Sequence, residues 1–291
     1  MQGDCNYGNC AGQIRPPAGK AFYRSAFPFQ HMITTAPHAA LTIAGSDSGG
    51  GAGIQADLKT FAALGIWGTS VITAITAQNT QGVLGVSMVP EAIVTLQIKA
   101  VLEDFPILVI KTGMLGTAGM IQAVARALPP DIPLVLDPVI VATSGSRLLE
   151  EDATTILLCT LLPRATVVTP NIPEALVLSG MKQIATIPDM KEAGRRILDL
   201  GPDYVVVKGG HLPGTEAVDI LIGPDTEIMV KSPKYPYEVH GSGCCFSAAM
   251  AGYLAHDCSV DLAFSKAKAF IEGAIQRAVL SRSGRYSVRP G

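Results

Sequence analysis

From about residue 40 onward, short apolar runs alternate with stretches whose apolar residues recur at helical spacing. The runs are rich in Val, Ile and Leu and show no apolar/polar alternation, which is typical of parallel strands covered on both faces. The intervening stretches predict helices. Strands are predicted at 41–45, 71–76, 107–111, 133–137, 165–170 and 204–208. Helices are predicted at 54–64, 90–103, 117–128, 150–162, 188–200, 243–256 and 260–280.

One pair of strands breaks this alternation. Residues 217–221 and 227–230 flank the turn Gly223-Pro224-Asp225, and two apolar runs around such a turn favour an antiparallel hairpin. The sequence therefore predicts an α/β fold: a mostly parallel central sheet with helices on both faces and an antiparallel hairpin at one edge.

The two ends of the chain differ from this pattern. Residues 1–37 are rich in Gly, Pro and Asn, lack periodicity and contain no apolar stretch typical of a secretory signal. We expect a disordered or dispensable extension there, with the natural start at Met32. Residues 38–283 are expected to form one domain, and residues 284–291 a loose, basic tail.

Composition narrows the class of protein. Of the 291 residues, 48% are hydrophobic and 16% charged, and the formal net charge is -2. The chain is therefore expected to be globular, without the basic surface that nucleic acids need. No apolar run is long enough to span a membrane. The six cysteines are irregularly spaced, which is unlike a disulfide framework and favours a reducing cytoplasm.

Polar and glycine-rich residues follow most of the predicted strands. The carboxyl ends of the strands line the ligand crevice in an open α/β sheet, so these residues are expected to meet there. This favours an enzyme or a small-molecule binder. The segments concerned are the turn at 46–53, Gln78, Thr112-Gly113-Met114, Asp137-Pro138, Asn171 and Lys208-Gly209-Gly210.

The stretch from His240 to Ser247 carries the most specific chemistry. Gly241, Ser242 and Gly243 lead directly into a helix pattern, and a flexible turn that opens a helix aims several N–H groups at one point, where an anion binds. Cys244 stands at the helix entrance, a position that lowers the pKa of a thiol. The alternative is an ordinary helix start with two buried cysteines, and the stretch alone does not decide between them.

Taken together, the motifs resemble those of the ribokinase-like kinases, and among them the hydroxymethylpyrimidine/phosphomethylpyrimidine kinases of thiamine biosynthesis. The resemblance covers residues 40 to 280 in unbroken order. The matching segments are Ala44-Gly45-Ser46-Asp47, Gly49 to Lys59, Val71 to Ala74, Ala77 to Thr80, Lys111 to Leu115, Asp137-Pro138-Val139, Thr169-Pro170-Asn171 with Glu174, Val207 to His211, and His240 to Cys244.

The resemblance implies a role for each of these positions. It implies that Gly241, Ser242 and Gly243 hold the transferring phosphoryl group and that Cys244 is the base for the substrate hydroxyl. Cys245 stands where the family usually has threonine, so we expect it to pack rather than to contact nucleotide. The implied substrate-binding residues are Gln78, which would bind the aminopyrimidine through its amide, with Gly45, Asp57, Met114 and Val139.

ATP and Mg²⁺ are the implied cofactors. The resemblance assigns nucleotide binding to Lys208, Gly209, Gly210 and Asn171, and a largely water-mediated magnesium site to Asp137 and Glu174. For Asn171 and Glu174 a plain helix cap is the alternative interpretation. A homodimer, common among the relatives, is also expected.

Two other functions remain open on sequence alone. Pyridoxal or pyridoxine kinases share the fold and a flat substrate with a CH₂OH group, and Cys244 does not exclude them. A silent binding protein for pyrimidines is a further alternative, although it would need only the substrate half of these motifs.

Overall fold

The computed structural model describes residues 38–140, 149, 151–210 and 212–291. The predicted N-terminal extension and Met32 lie outside the described residues. Elsewhere, strands and helices alternate as the apolar pattern predicts. The strands are β1 (Ala39–Asp47), β2 (Trp67–Asn79), β3 (Gly82–Met88), β4 (Ile107–Thr112), β5 (Leu134–Leu136), β6 (Val167–Val168), β7 (Tyr204–Lys208), β8 (Glu216–Ile222), β9 (Glu227–Pro233), β10 (Val239–His240), β11 (Val279–Leu280) and β12 (Tyr286–Ser287). The helices are α1 (Gly53–Ala63), α2 (Glu91–Asp104), α3 (Ala118–Ala127), α4 (Glu151–Thr160), α5 (Ile172–Ser179), α6 (Ile187–Leu198), α7 (Ser242–Ala255) and α8 (Val260–Gln276).

The main sheet has nine strands in the order β3-β2-β1-β4-β5-β6-β7-β8-β9. Strands β2, β1, β4, β5, β6 and β7 run parallel. Strand β3 pairs antiparallel with β2 at one edge, and β8 pairs antiparallel with both β7 and β9 at the other. The predicted α/β fold is confirmed, and so is the β8–β9 hairpin at one edge.

Two apolar cores cover the faces of this sheet. Leu41 and Ile43 of β1 face one core, which also takes side chains from α2 to α6. Ala40, directly before Leu41, faces the other core, which takes side chains from α1, α7 and α8. Because successive strand residues point to opposite faces, a strand buried on both sides needs a continuous apolar run, which is the pattern in the sequence.

The second antiparallel edge, β3, was not predicted from the sequence. Strand β3 contains two glycines and exposes most of its side chains, including 83% of Leu84, so its apolar residues do not form a buried face. The signal lies in the turn before it. The side-chain oxygen of Asn79 accepts hydrogen bonds from the N–H groups of Gln81 and Gly82, a turn that reverses the chain.

The expectation of a loose tail at 284–291 is wrong. Strand β12 pairs in parallel with β10 and antiparallel with β11 in a second, three-stranded sheet. The N–H of Val288 donates to the carbonyl of His240 at 3.0 Å, and the side chain of Val288 is buried. The tail is ordered because it completes this small sheet, which lies directly before α7.

Across the part of the chain that the structure describes, no helix combines the length and apolarity needed to cross a membrane.

Candidate active site

A cavity lies at the carboxyl ends of the parallel strands, where the crevice was predicted. Its wall takes residues from the carboxyl ends of β1, β2, β4, β5 and β7, from the loop after β6 with the first turn of α5, and from the start of α7. The sequence-predicted residues that line it are Gly45, Gln78, Met114, Asp137, Val139, Asn171, Glu174, Lys208, Gly241, Gly243 and Cys244.

The turn before α7 forms one end of this cavity. Gly241 has φ +83°, a backbone conformation that glycine adopts without steric cost, and a Cβ there would overlap the carbonyl oxygen of Gly51. The close approach clamps the turn against the glycine-rich loop after β1. Helix α7 begins at Ser242, so the N–H groups of its first turn have no partner within the helix and can serve an anion.

Cys244 lies half-buried in the cavity wall. The prediction of a lowered thiol pKa is wrong for this structure, because burial raises the pKa of Cys244 to about 11. The positive charge of Lys111 and the N–H of Gly53 oppose that rise without cancelling it. Desolvation disfavours the thiolate, and it is the largest influence on this thiol.

Cys245 points away from the cavity into the core beneath α7. Its side chain is 0% exposed, and the hydroxyl of Thr60 lies 3.4 Å from its sulfur. This is the environment of a packing residue, as expected from a position one step further along the helix.

Lys208 lies between the turn before α7 (Gly241 to Cys244, called the anion turn below) and the acidic side of the cavity, formed by Asp137 and Glu174. A Cβ on Gly243 would lie 3.3 Å from Nζ of Lys208, and the same Nζ is 3.4 Å from Oδ1 of Asp137. Burial lowers the pKa of Lys208, but the carboxylates of Asp137 and Glu174 outweigh it and raise the pKa above its usual value. The lysine therefore carries its charge next to the turn.

The acidic side has two buried carboxyl groups. Asp137, at the end of β5, accepts a hydrogen bond from the hydroxyl of Ser247 at 3.0 Å. Burial raises the pKa of Glu174 to about 7, although the charge of Lys208 opposes it. Glu174 and Asn171 also form the reciprocal cap of α5, each side chain accepting from the other's N–H at 2.9 Å. Asn171 and Glu174 therefore do cap α5, as the alternative interpretation of these two residues predicts.

Asp137 and Glu174 could bind magnesium only if water or phosphate oxygens supply its remaining ligands. No cluster of three or more His, Cys, Asp or Glu side chains suited to a metal occurs among the described residues. Mg²⁺ takes six oxygen ligands and retains several waters, so Asp137 and Glu174 would hold it with water and phosphate oxygens completing the shell. Their oxygen chemistry fits that ion.

Gln78, Met114 and Val139 line another part of the cavity wall. Gln78 accepts a hydrogen bond from the hydroxyl of Thr76 at 3.1 Å through its side-chain oxygen. Met114 packs closely over Gly45, where a Cβ would lie 3.2 Å from the sulfur. Val139 has φ +33°, a strained conformation for a β-branched residue. An amide and a thioether around a narrow space suit a flat ring with polar edges.

His240 and Asp47 line the same cavity, and sequence reasoning missed both as site residues. Nε2 of His240 lies 3.1 Å from Oδ2 of Asp47 and 3.3 Å from Nε2 of Gln78. Burial raises the pKa of Asp47. The hydrogen bond with His240 and those from the N–H groups of Gly49 and Ala52 outweigh that rise, so the pKa lies below its usual value. The sequence did contain a signal for Asp47: an aspartate directly before a glycine-rich turn can accept hydrogen bonds from several N–H groups of that turn.

Four predicted site residues are absent from the cavity wall: Ser242, Asp57, Gly209 and Gly210. Asp57 is fully buried in α1 and pairs with Lys111. The N–H of Gly209 is already taken by Asp219, at 2.9 Å, and Gly210 is exposed. His211 lies outside the described residues.

Comparison with known proteins gives one consistent family. The family described as phosphomethylpyrimidine kinase matches residues 47–289. The hydroxymethylpyrimidine/phosphomethylpyrimidine kinase of Rhizobium meliloti is 48% identical over 243 residues, covering 82% of this chain and 91% of that protein. The thiamine biosynthesis bifunctional protein of Geobacter sulfurreducens is 47% identical over 82% of this chain, which spans only 49% of it.

Two solved structures are similar throughout. A phosphomethylpyrimidine kinase from Clostridium difficile has a TM-score of 0.73 and 45% identity, covering 81% of this chain and 99% of that one. An ADP complex of Bacillus subtilis pyridoxal kinase has a TM-score of 0.81 and 37% identity, covering 88% of this chain and 98% of that one. Sequence identity is thus higher to the pyrimidine kinase, and backbone similarity to the pyridoxal kinase.

Proposed function

The chain belongs to the phosphomethylpyrimidine kinase family, and on that premise we propose that it transfers the γ-phosphoryl group of ATP to 4-amino-5-hydroxymethyl-2-methylpyrimidine and then to the monophosphate, two steps of thiamine biosynthesis. The main support is that one cavity contains both an anion-binding turn (Gly241 to Cys244) and a region lined by the amide of Gln78 and the thioether of Met114. The turn suits a transferring phosphoryl group, and the region suits the ring that receives it.

Positioning and charge stabilisation account for most of the catalysis in phosphoryl transfer. In this cavity the free N–H groups at the start of α7 would hold the equatorial oxygens of the γ-phosphoryl group. Lys208, 3.4 Å from Asp137, supplies a cation between that group and the acidic side. Mg²⁺ bound near Asp137 and Glu174 would neutralise phosphate charge.

The region lined by Gln78 and Met114 would orient the hydroxymethyl group toward that phosphorus. An amide offers a donor and an acceptor side by side, matching a ring nitrogen next to an exocyclic amine, and Gln78 has this chemistry. Met114 would form an apolar wall for the ring. Asp57 lies behind the wall and has no direct access to the ring.

Cys244 would accept the proton of the substrate hydroxyl. Burial raises its pKa to about 11, so the thiol would first release its own proton to solvent, and the thiolate would then accept the substrate proton. A loose transition state builds little charge on the attacking oxygen, so the proton can leave late. The transfer forms the bond from the hydroxymethyl oxygen to phosphorus and breaks the bond from that phosphorus to the β-phosphate oxygen.

Pyridoxal kinase is the second candidate. The observation in its favour is the higher TM-score to the Bacillus subtilis structure, 0.81 against 0.73. The higher sequence identity to the pyrimidine kinases favours the first candidate, since side chains rather than backbone determine which ring fits.

Product analysis tests the proposal. The purified protein is incubated with ATP, Mg²⁺ and hydroxymethylpyrimidine, and the products are followed by ³¹P NMR. We expect a monophosphate resonance that is then replaced by a diphosphate. No phosphorylated pyrimidine, with the nucleotide unchanged, would contradict the proposal and favour a binding protein.

The expected homodimer and the expected cytoplasmic location stay predictions. Light scattering of the purified protein measures the first, because a dimer doubles the 30.3 kDa mass of the chain. Fractionation of the native cells measures the second.

A further inference from the structure

A charged pair lies wholly buried behind the anion turn. Nζ of Lys111, at the end of β4, is 2.8 Å from Oδ2 of Asp57 in α1, and both side chains are 0% exposed. The hydroxyl of Thr42 donates to the same carboxylate oxygen at 2.6 Å. The other oxygen of Asp57 has no hydrogen-bond partner among the described residues. Lys111 therefore provides the main compensation for this buried carboxylate.

The two ends of the pair face different surroundings. Lys111 lines the cavity together with Cys244, whereas Asp57 does not. Within the described residues, the ammonium makes one hydrogen bond, to Asp57, and an ammonium has three N–H groups. A Cβ on Gly113, also in the cavity wall, would lie 2.9 Å from Nζ. The pair thus presents its positive end to the cavity and keeps its negative end in the core.

Several charged groups act on Cys244. Lys111 and Lys208 are positive, Asp57 and Asp137 are negative, and Cys245 is the neighbouring thiol. Among the charges that shift its pKa, the attraction of Lys111 is the largest and favours the thiolate, while Asp57 acts more weakly in the opposite direction. Lys208 is already engaged with Asp137. Lys111 is paired as well, with Asp57, but its side chain is 0% exposed against 14% for Lys208, so water screens the charge of Lys111 less.

We propose that Lys111 is a positioning residue for the phosphoryl transfer: its ammonium, fixed by Asp57, is the counter-charge for the Cys244 thiolate. The inference rests on the proposed function, in which Cys244 takes the substrate proton. In that step the thiol first releases its own proton to solvent. The thiolate then receives the proton of the substrate hydroxyl as the oxygen bonds to phosphorus and ADP leaves. The ammonium stays protonated throughout.

The test measures the reactivity of the thiol directly, without turnover. Wild-type protein and variants are alkylated with iodoacetamide at pH 9, and fragment mass spectrometry separates modification of Cys244 from that of Cys245. The main variant is Lys111→Met/Asp57→Asn, which removes both charges, since a buried pair is replaced as a unit with less risk to folding. Lys111→Gln/Asp57→Asn is the second variant, and it retains hydrogen bonding.

A second buried pair provides the matched control. Nζ of Lys268 lies 2.6 Å from Oδ2 of Asp219, with both side chains 8% exposed, and neither residue is among the charges acting on Cys244. Lys268→Met/Asp219→Asn therefore also removes one buried positive and one buried negative charge, but at a site away from Cys244. Cooperative thermal unfolding identifies the folded variants.

We expect alkylation of Cys244 to slow by about tenfold in either Lys111 variant, since one pKa unit changes the thiolate fraction tenfold, and to stay at the wild-type rate in the control. Wild-type alkylation in a folded Lys111 variant would overturn the proposal, and so would equal slowing in the control. Kinase activity of the wild-type protein is measured separately. Its absence would contradict the proposed function, whereas the alkylation comparison tests only the effect of Lys111 on the thiol.

Discussion

At the scale of single residues, the adjacent cysteines of α7 offer a direct comparison. Cys244 lines the cavity and Cys245 is buried in the core. We expect Cys244→Ala to lower kcat by about 100-fold or more, because general-base assistance is lost, with little change in the unfolding temperature. Cys245→Ala should retain most of the activity and lose about 1 to 2 kcal/mol of stability through the space it leaves. Steady-state kinetics and thermal unfolding of both variants measure this, and the opposite assignment would exchange the two results.

Glu174 predicts a particular dependence of stability on pH. Burial raises its pKa from 4.5 to about 7 in the folded protein, so between these values the folded state holds a proton that the unfolded state has released. Its contribution is fully present below pH 4.5 and is lost as the pH rises through about 7. The loss amounts to at most about 3 to 4 kcal/mol, at roughly 1.4 kcal/mol per pKa unit.

Urea unfolding of the metal-free protein from pH 5 to pH 8 measures this slope, with Glu174→Gln as the matched variant. Glutamine keeps an acceptor for the N–H of Asn171, so the cap of α5 is retained. We expect the wild-type free energy of unfolding to fall with rising pH and the variant to show a flatter profile. Parallel profiles would contradict the assigned pKa.

The sequence predicted which residues meet in the cavity better than it predicted their electrostatic state. Gln78, Met114 and Lys208 follow separate strands, and the parallel sheet brings them to one edge as expected. The thiol pKa of Cys244 was predicted in the wrong direction, because burial depends on neighbours distant in the chain. The pairing of Asp47 with His240, 193 residues apart, was equally invisible.

At the scale of elements, the turn between β10 and α7 depends on a single glycine. Gly241→Ala would require φ near +83° and would push Cβ into the carbonyl of Gly51. We expect a large loss of kcat, because the turn must move away from the loop after β1, with a loss of about 1 to 3 kcal/mol in stability.

Gly180→Ala is the matched control for backbone strain alone. Gly180 ends α5 with φ +66° and has open space around its Cβ position. Its substitution should cost about 1 kcal/mol and leave the kinetics unchanged. Equal kinetic effects in the two variants would mean that strain, rather than the clash with Gly51, is responsible.

Elements that bury an apolar face against the core were predictable, and those that bury none were not. Strand β1, buried on both faces, reads as a continuous apolar run. Strand β3 exposes most of its side chains, and β12 has only two residues and follows a basic segment. Both are held by backbone pairing with neighbouring strands, which leaves little trace in local composition.

At the scale of the whole molecule, the C-terminal tail supports the active-site turn. Strand β12 pairs with β10, which ends at His240, and a Cβ on Gly51 would lie 2.8 Å from the hydroxyl of Ser287. Truncation after Ser283 should therefore lower the unfolding temperature and raise KM for the substrate, because His240 and the glycine-rich loop lose their support.

Removal of Pro290 and Gly291 alone is the control for that truncation. It leaves β12, Val288 and the hydrogen bond from the Arg289 N–H to the Ala274 carbonyl in place. We expect wild-type kinetics from this shorter deletion. Wild-type kinetics from the longer truncation as well would show that the tail has no part in the site.

In the proposed function, one cavity joins the anion turn to a site for an aminopyrimidine. The most direct test is ATP-dependent ADP release with hydroxymethylpyrimidine and with pyridoxal, in wild-type protein and in Gln78→Leu. We predict a kcat/KM at least about tenfold higher for the pyrimidine, since a site that hydrogen-bonds its substrate discriminates strongly, and a selective loss of that preference in the variant. A preference for pyridoxal, unchanged by the substitution, would contradict the account.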